Sequence, residues 1–391
     1  MFFVVKNPLN KPTMDFQAVK NTITATPAFI IDQDAIIDAA KLLQQLKADS
    51  GCKILYSVKA LPLSFILETI KPYVDGFSVS SLFEARLANE ILAGAGSLHL
   101  TTPGIRADEI SELSELCSHI SFNSLSQHQR YAESINNQSS IGLRINPKLS
   151  VLDDDRFNPC RPHSKLGVDI TEAKPFLNQL QGIHLHNVFS ATDVSPLLLT
   201  LDKIERHLGN KLADLQWINL GGGILFNQCQ DLSPLIERIK RLKSRFDVEV
   251  YIEPGKAVVG QAGHLVSSVI DVFESDGKTI AILDTSINHN PEVFEYQRQP
   301  VCHAHDNNGN HSVTLAGSTC LAGDLFGEYR FKQPINIGDK IIFKNIGAYS
   351  LIKANRFNGY NLPDIVLAQR NKLTQLKRYS YQDYRSQWLS E

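Results

Sequence analysis

The sequence predicts an α/β fold, a (β/α)8 barrel of the TIM type joined to a C-terminal all-β domain. Three observations lead to this prediction. Between residues 53 and 253, eight short β-rich runs alternate with segments of helical periodicity. After about residue 263, strand-like runs follow one another without long helices between them. Apolar residues make up 43% and charged residues 20% of the 391 residues, which is the composition of a globular protein.

The eight runs are short and end at polar or glycine-rich stretches, as the strands of a parallel barrel do. In chain order they are 53–59, 76–81, 98–102, 120–123, 141–146, 183–188, 217–220 and 248–253. Helical segments such as 63–70, 82–92 and 232–242 lie between them. An open doubly wound sheet is the alternative arrangement of such units, and the count of eight favours the barrel.

The second domain is predicted from the strand-like runs 265–272, 279–284, 311–315 and 339–344, with turn signals at 307–310 and 337–339. We expect the barrel to span residues 28–263, and a β-sandwich or barrel-like domain to take residues 1–27 and 264–391. The run 26–32 could contribute a strand to that β domain. Residues 1–25 show little periodicity and support no role.

Charge and hydropathy exclude several classes of protein. The 39 Lys and Arg residues nearly balance the 41 Asp and Glu residues, so the chain has no electrostatic footprint for nucleic acid. No apolar run approaches the roughly 18 residues that span a bilayer. The apolar residues 2–5 are too few for the core of a signal peptide. We therefore expect neither a nucleic-acid partner nor a membrane.

Six cysteines in 391 residues are too few for a disulfide framework, and because they include no C-x-x-C pair the sequence supports neither a zinc nor a thioredoxin-like motif. This usage predicts a reduced, cytoplasmic protein without a metal.

The active site of such a barrel lies at the carboxyl ends of its strands. The first run ends in Lys59, the seventh is followed by Gly221, Gly222 and Gly223, and the eighth ends in Glu253 before a Pro-Gly turn. Glycines let backbone N–H groups approach an anion closely. Taken alone, a lysine after an apolar run is usually the solvated end of a strand, three glycines are typical of a flexible turn, and the Glu-Pro-Gly sequence is equally typical of a plain turn.

His184 and His186 lie two residues apart on the sixth run and so share a face. No third ligand at a fitting spacing completes a metal site, and stacking of at least one ring on a planar ligand is the better interpretation. Arg144 on the fifth run could be a structural cation inside the barrel. An amine, an anion cradle, a carboxylate and an imidazole together form the set that pyridoxal phosphate requires.

From about residue 26 onward the sequence resembles the fold-type III pyridoxal-phosphate-dependent decarboxylases, the family of ornithine, arginine and diaminopimelate decarboxylases. Within it the likeness is greatest to the carboxynorspermidine branch. The segments that carry it are 56–60, 143–147, 158–161, 164–168, 219–223, 253–255, 317–324, 347–349 and 357–359. The resemblance implies an alanine-racemase-like barrel and a homodimer with active sites at the subunit interface.

The resemblance also implies a role for each matching residue. Lys59 would form the Schiff base with the cofactor, Glu253 would pair with the pyridine nitrogen, and His186 would stack on the ring. Cys320 and Asp324 of one subunit would face the cofactor of the other, with Cys320 donating a proton to Cα after CO2 leaves. By themselves these two could be a small buried thiol and a turn residue. The remaining cofactor-binding residues would be Gly221, Gly222, Gly223, Gly255, Lys256, Tyr349 and Arg144.

One departure from the usual pattern of the family indicates the expected substrate. Ornithine and diaminopimelate decarboxylases usually carry an acid directly after the catalytic cysteine, whereas Leu321 stands there here. This favours carboxynorspermidine or carboxyspermidine, whose decarboxylation yields norspermidine or spermidine in polyamine biosynthesis. The distal amines of such a substrate need carboxylates or ring faces, and the candidates are Asp324, Glu292, His289 and Glu295, with the acidic triplet 153–155 more typical of a solvated loop. Arg298 lies close to Glu292 and Glu295 in the sequence and adds a positive charge there.

Other functions stay open. The segments 285–289 and 187–190 match the branch only in part, so the substrate could be another amino acid or a carboxylated siderophore or specialised-metabolite intermediate. A racemase of the same fold would need a tyrosine base and usually an arginine at the pyridine nitrogen, where Glu253 stands. A pyridoxal-phosphate homeostasis protein would be a single barrel without the β domain.

Overall fold

The structure, a computed structural model, describes residues 14–152, 154–370 and 372–390. Within these residues the chain divides into two compact units. The first is Ile37–Val258, and the second combines residues 14–36 with residues 259–390.

The strands are β1 (Ala28–Asp32), β2 (Lys53–Ser57), β3 (Gly76–Val79), β4 (Ser97–Thr101), β5 (His119–Phe122), β6 (Ser140–Asn146), β7 (Val168–Asp169), β8 (Gly182–Leu185), β9 (Trp217–Asn219), β10 (Glu249–Ile252), β11 (Gly263–Ser275), β12 (Lys278–Leu283), β13 (Val301–Cys302), β14 (His311–Ala316), β15 (Leu325–Phe331), β16 (Lys340–Lys344), β17 (Asp364–Gln369) and β18 (Lys372–Lys377).

The helices are α1 (Phe16–Thr22), α2 (Gln33–Ser50), α3 (Ser64–Ile70), α4 (Leu82–Leu92), α5 (Ile110–Leu116), α6 (Leu125–Tyr131), α7 (Ile170–Ala173), α8 (Ser195–Leu208), α9 (Ser233–Phe246), α10 (Lys256–Val259), α11 (Glu292–Tyr296), α12 (Ser350–Lys353) and α13 (Tyr381–Arg385). Among the described residues, no helix is both long enough and apolar enough to cross a membrane.

The first unit contains a closed parallel barrel. Its strands are hydrogen-bonded in the order β5-β4-β3-β2-β10-β9-β8-β6, and β6 pairs with β5 to complete the ring. The predicted eight-stranded barrel is therefore confirmed. The alternative of an open sheet is wrong, because an open sheet would leave β5 and β6 as unpaired edges.

The helices around the barrel bury one face each. In α9 the buried side chains are Leu235, Ile239, Leu242 and Phe246, which recur every three or four residues and so lie on one side of the helix. A proline in the first turn favours the start of this helix, and Asp247 ends it in the left-handed conformation. The predicted helical segment at 232–242 thus forms and extends one turn further.

The second unit is built on a mixed sheet in the order β15-β14-β12-β11-β1-β17-β18, in which β16 pairs with both β11 and β13. The strand β1 lies antiparallel to β11 and parallel to β17, and all five of its side chains are buried. Its backbone hydrogen bonds therefore belong to this sheet. As a result β1 lies outside the first unit, which begins at Ile37 and ends at Val258. The sequence analysis placed these two boundaries at residues 28 and 263.

The interior of the barrel near the amino ends of the strands is filled by aromatic rings. Trp217 on β9 lies level with Gly182 on β8, which in turn pairs with Gly142 on β6. A Cβ at Gly182 would lie 2.0 Å from the Trp217 ring, and one at Gly142 would lie 2.3 Å from it. The Trp217 indole N–H donates to Ser140 Oγ at 2.7 Å. The two glycines therefore make room for the indole in the core.

Replacing Gly182 with alanine tests this packing. We expect Gly182→Ala to lower the free energy of unfolding by about 1–3 kcal/mol, because overpacking a dense core forces strain on its neighbours. Denaturant unfolding followed by circular dichroism measures the change. The matched control is Gly104→Ala, since a Cβ there meets no atom within 4 Å. Equal stability of the two variants would contradict the role of Gly182.

Candidate active site at the carboxyl ends of the barrel strands

Lys59 lies directly after β2, in a single 3-10 turn over Val58–Ala60. The Tyr56 hydroxyl donates to the Leu61 carbonyl at 3.1 Å, and Ser57 N–H donates to the Pro254 carbonyl at 3.0 Å. These bonds hold the turn against the end of the neighbouring strand β10. Burial lowers the pKa of the Lys59 amine below its ordinary value, and the charge of Glu253 opposes this shift without cancelling it.

Glu253 follows β10 and is only 5% exposed. Its Oε1 accepts from Asn219 Nδ2 at 2.8 Å, and its Oε2 lies 3.3 Å from His184 Nε2. Burial by itself would raise the pKa of this carboxyl. His184 and Lys59 outweigh burial and hold the pKa below its ordinary value, so Glu253 is ionised.

The glycine loop after β9 is shaped by close approaches of the backbone. A Cβ at Gly221 would lie 2.2 Å from the Leu185 carbonyl oxygen, and one at Gly223 would lie 2.0 Å from that of Val188. Both glycines also have positive φ angles, 68° and 99°. A Cβ at Gly222 would lie 2.3 Å from the Glu253 carbonyl oxygen. The loop therefore admits no side chain at any of the three positions.

Two of the N–H groups in this loop already have protein acceptors. Gly221 N–H donates to Asn219 Oδ1 at 2.9 Å, and Gly222 N–H donates to His186 Nδ1 at 3.0 Å. The second bond fixes the imidazole, because its Nδ1 must be the unprotonated nitrogen. Anion binding by these glycines stays a prediction, and the loop's direct role in the structure is to orient His186.

His186 and Arg144 complete the barrel mouth. Arg144 is 7% exposed and donates to the His186 carbonyl at 3.1 Å. Burial lowers the pKa of Arg144 to about 10, although Glu253 opposes the shift, so the guanidinium stays charged. Burial, together with the charges of Lys59 and Arg144, lowers the pKa of His186 well below its ordinary value. A neutral imidazole thus lies among two cations and one carboxylate.

The structure accordingly brings together several residues that the sequence analysis selected: Lys59, Arg144, His186, Gly221, Gly222, Gly223 and Glu253. Gly255 packs against the Lys59 turn, where a Cβ would lie 3.0 Å from Ala60 Cβ. Lys256 begins the short helix α10. A buried amine with a lowered pKa beside an ionised carboxylate can attack a carbonyl carbon, and the carboxylate can hold a proton on a ligand.

Sequence reasoning did not place Asn219 in the site, and it considered His184 only for metal binding or stacking. Both are buried and bind the Glu253 carboxylate. The signal for His184 was its position two residues before His186 in the predicted strand 183–188, since side chains two residues apart in a strand share a face. Within the described part of the chain, no group of three or more His, Cys, Asp and Glu residues could hold a metal ion.

In the second unit, Cys320 lies in the loop between β14 and β15. It is the one exposed cysteine of the six, and its backbone N–H donates to Asn358 Oδ1 at 2.8 Å. Asp324 ends the same loop and is 2% exposed. Its carboxylate accepts from Ile287 N–H at 2.8 Å and from Thr319 N–H at 3.1 Å. In this structure Asp324 therefore binds the backbone that shapes the Cys320 loop.

Residues 285–290 connect this loop to the segment that carries Tyr349. Ser318 N–H donates to the Thr285 carbonyl at 3.0 Å. On the other side, Ser350 Oγ lies 3.1 Å from Asn290 Oδ1. Tyr349 itself has a positive φ of 64° immediately before α12. The Cys320 loop and the Tyr349 segment thus share one support.

The candidate substrate-binding residues of the second unit already have contacts within it. Glu295 forms an ion pair with Lys353 at 2.5 Å, and Glu292 lies partly buried on the same short helix. His289 is 1% exposed, its Nδ1 lies 2.8 Å from Thr285 Oγ1, and burial lowers its pKa to about 4. Arg298 is exposed and its guanidinium lies 5.8 Å from the Tyr296 ring centroid.

The acidic triplet at 153–155 belongs to a loop of the first unit, and Asp153 lies outside the described residues. Asp154 forms an ion pair with Arg156 at 2.8 Å, and Asp155 accepts from Asn158 at 3.4 Å. The two described acids thus engage residues of their own loop.

Comparison with known proteins gives one consistent result. Residues 2–347 match the family model described as "Pyridoxal-dependent decarboxylase, C-terminal sheet domain". The carboxynorspermidine/carboxyspermidine decarboxylase of Herminiimonas arsenicoxydans is 34% identical over 365 residues, which cover 92% of this chain and 98% of the relative. The carboxyaminopropylagmatine decarboxylase of Synechocystis is 33% identical over 369 residues, covering 92% and 95% of the two chains.

A solved structure extends this similarity to three dimensions. The carboxynorspermidine decarboxylase of Campylobacter jejuni, complexed with norspermidine, superimposes with a TM-score of 0.86 at 31% identity. The match covers 93% of this chain and all of that one. Since the family model spans most of the sequence and both units have relatives along nearly their full length, this chain belongs to the pyridoxal-dependent decarboxylases.

Proposed function

We propose that this enzyme decarboxylates carboxynorspermidine or carboxyspermidine and so forms norspermidine or spermidine. The observation that carries the proposal is the 34% identity to an enzyme of that name across 98% of its length. That span includes the barrel mouth around Lys59 as well as the Cys320 loop. The absence of an acid at Leu321 supports a substrate other than ornithine or diaminopimelate.

The residues of the barrel mouth fit pyridoxal phosphate. The lowered pKa of Lys59 increases the neutral fraction of an amine that must bind a carbonyl. Glu253 is buried and ionised, as a partner for a protonated ring nitrogen must be. His186 offers a flat, neutral ring, held in orientation by Gly222. When bound, the cofactor supplies an aromatic system that accepts the electrons released with CO2.

Each residue then has a defined task. Lys59 would hold the cofactor through its amine. Glu253 keeps the proton on the ring nitrogen, which keeps the ring electron-poor. Cys320 delivers a proton to the substrate Cα after CO2 has left. Glu253 in this position favours decarboxylation over racemisation, for which the ring nitrogen would face an arginine.

We further propose that a second copy of the chain supplies Cys320 to each site. Cys320 is exposed, and large apolar side chains around it in sequence are exposed too, including Leu321 at 43% and Leu325 at 46%. Phe294, 66% exposed, lines a cavity of about 360 Å³ together with Leu325. Exposed apolar surface of this kind is typical of a protein interface. A free catalytic thiol also requires reducing surroundings, which supports a cytoplasmic location.

The function is tested by measuring CO2 release from a panel of substrates. We expect turnover of carboxynorspermidine and carboxyspermidine to exceed that of ornithine, lysine and diaminopimelate at least tenfold, because the site must bind a long polycation. Carboxyaminopropylagmatine belongs in the panel because a relative acts on it. Lys59→Ala should lose both turnover and the visible absorbance of bound cofactor. Turnover in Lys59→Ala equal to wild type, or a preference for a short diamino acid, would refute the proposal.

The pH dependence of cofactor uptake tests the Lys59 environment. The neutral amine is the reactive form, so the rate at which apoprotein takes up pyridoxal phosphate should rise with pH. Because burial lowers the pKa of Lys59, the rate should reach half its maximum below pH 10.5, the ordinary value for lysine. Stopped-flow absorbance gives the profile, and a free alkylamine is the reference. Glu253→Gln should move the midpoint lower still, since Glu253 raises this pKa.

Subunit complementation tests the shared site. Lys59→Ala and Cys320→Ser homodimers should each be nearly inactive. Mixing them by denaturation and refolding should restore about a quarter of wild-type turnover, because half of the dimers are then hybrids with one intact site. Refolding each variant alone is the control. No recovery in hybrids that analytical ultracentrifugation shows to have formed would contradict a site shared between subunits.

A further inference from the structure

We infer that His184 is a positioning residue that holds the Glu253 carboxylate in place for the cofactor ring. The inference rests on the proposed function, because it concerns the residue that meets the ring nitrogen. His184 is not itself expected to touch the substrate. Its contact with Glu253 is the observation that points to this role.

The contact lies in the interior of the barrel. His184 is 2% exposed and Glu253 is 5% exposed. His184 Nε2 lies 3.3 Å from Glu253 Oε2, while Asn219 Nδ2 donates to Oε1 at 2.8 Å. The two partners come from neighbouring strands, β8 and β9. The carboxylate is therefore held on both oxygens, and its rotation about the terminal bond is restricted.

The surroundings of the other ring nitrogen, Nδ1, determine which nitrogen of His184 carries the proton. His184 Nδ1 is buried and has no hydrogen-bond partner among the described residues. A proton on Nδ1 would be a buried, unpaired N–H, which is costly. The stable form is therefore the neutral ring with its proton on Nε2, which donates to Glu253. Glu253 Oε2 is then the acceptor, which agrees with the lowered pKa of this carboxyl.

The charges around His184 favour the same neutral form. Burial lowers the pKa of His184, Glu253 opposes this shift, and the cations Arg144 and Lys59 add to it. The further imidazoles near His184 are His186 and His99. His184 thus acts as a fixed neutral donor.

The expected consequence is specific to the cofactor. Without the Nε2 donor, Glu253 keeps one side-chain donor and its carboxylate becomes easier to protonate and to rotate. A protonated or misoriented Glu253 cannot hold the proton on the ring nitrogen. We therefore expect weaker cofactor binding and a lower kcat, with little change in KM.

Two substitutions separate this role from simple core packing. In His184→Gln the amide nitrogen reaches the position of Nε2, whereas in His184→Asn it reaches only the position of Nδ1. We expect the glutamine variant to keep the cofactor dissociation constant within about threefold of wild type, and the asparagine variant to raise it about tenfold or more. Equilibrium dialysis of apoprotein against pyridoxal phosphate measures it. Unfolding of the apoproteins reports on packing.

The matched control is His99→Asn. His99 is 2% exposed in the same barrel, but its Nε2 lies 3.2 Å from Ser97 Oγ and its ring stacks on that of His119. We expect His99→Asn to lower the free energy of unfolding of the apoprotein without the tenfold loss of cofactor affinity. Wild-type affinity in His184→Asn, or an equal loss in His184→Gln and His184→Asn, would overturn the inference. Failure of the wild type itself to bind the cofactor would instead refute the proposed function.

Discussion

The site depends on keeping the buried carboxyl group of Glu253 ionised inside the barrel. A buried carboxylate without partners would take up a proton, because desolvation penalises the charged form by several kcal/mol. Glu253 avoids this through Asn219 and His184, one donor on each oxygen. Lys59 adds a favourable charge. The ionised carboxylate can therefore accept a hydrogen bond from a protonated group of a ligand without taking up that proton itself.

The same balance sets the state of the neighbouring groups. Glu253 counteracts part of the desolvation that lowers the pKa values of Lys59 and Arg144. His184 on β8 and His186 just after it are both neutral, since burial and the nearby cations lower their pKa values. One ring is oriented by the N–H of Gly222, and the other is the donor to Glu253. Barrel closure makes this possible, because it brings β2, β6, β8, β9 and β10 to one mouth.

In the second unit, the residues predicted to act in catalysis and substrate binding lie in a different setting. Cys320 is exposed on a loop, and the loop is shaped by the buried Asp324, whose carboxylate accepts backbone N–H groups. Gly317 is required beside it, because a Cβ there would lie 2.2 Å from Asp324 Oδ1. A buried carboxyl side chain thus organises the backbone of the loop that exposes Cys320. The carboxylate that the sequence analysis assigned to substrate amines is engaged in the fold, and its binding of substrate stays a prediction.

The sequence by itself determined the barrel, the all-β domain and the strand ends that carry Lys59 and Glu253. These follow from local periodicity and from the rule that strand ends meet at one mouth. Only the tertiary structure determined which residues contact Glu253. Asn219, His184 and Glu253 are separated by up to 69 residues and meet because β8, β9 and β10 are neighbours in the ring. The sequence analysis left open whether the run 26–32 joins the β domain, and the structure places β1 there because its hydrogen bonds go to β11 and β17. Such pairings depend on long-range register and burial, which local residue patterns do not encode.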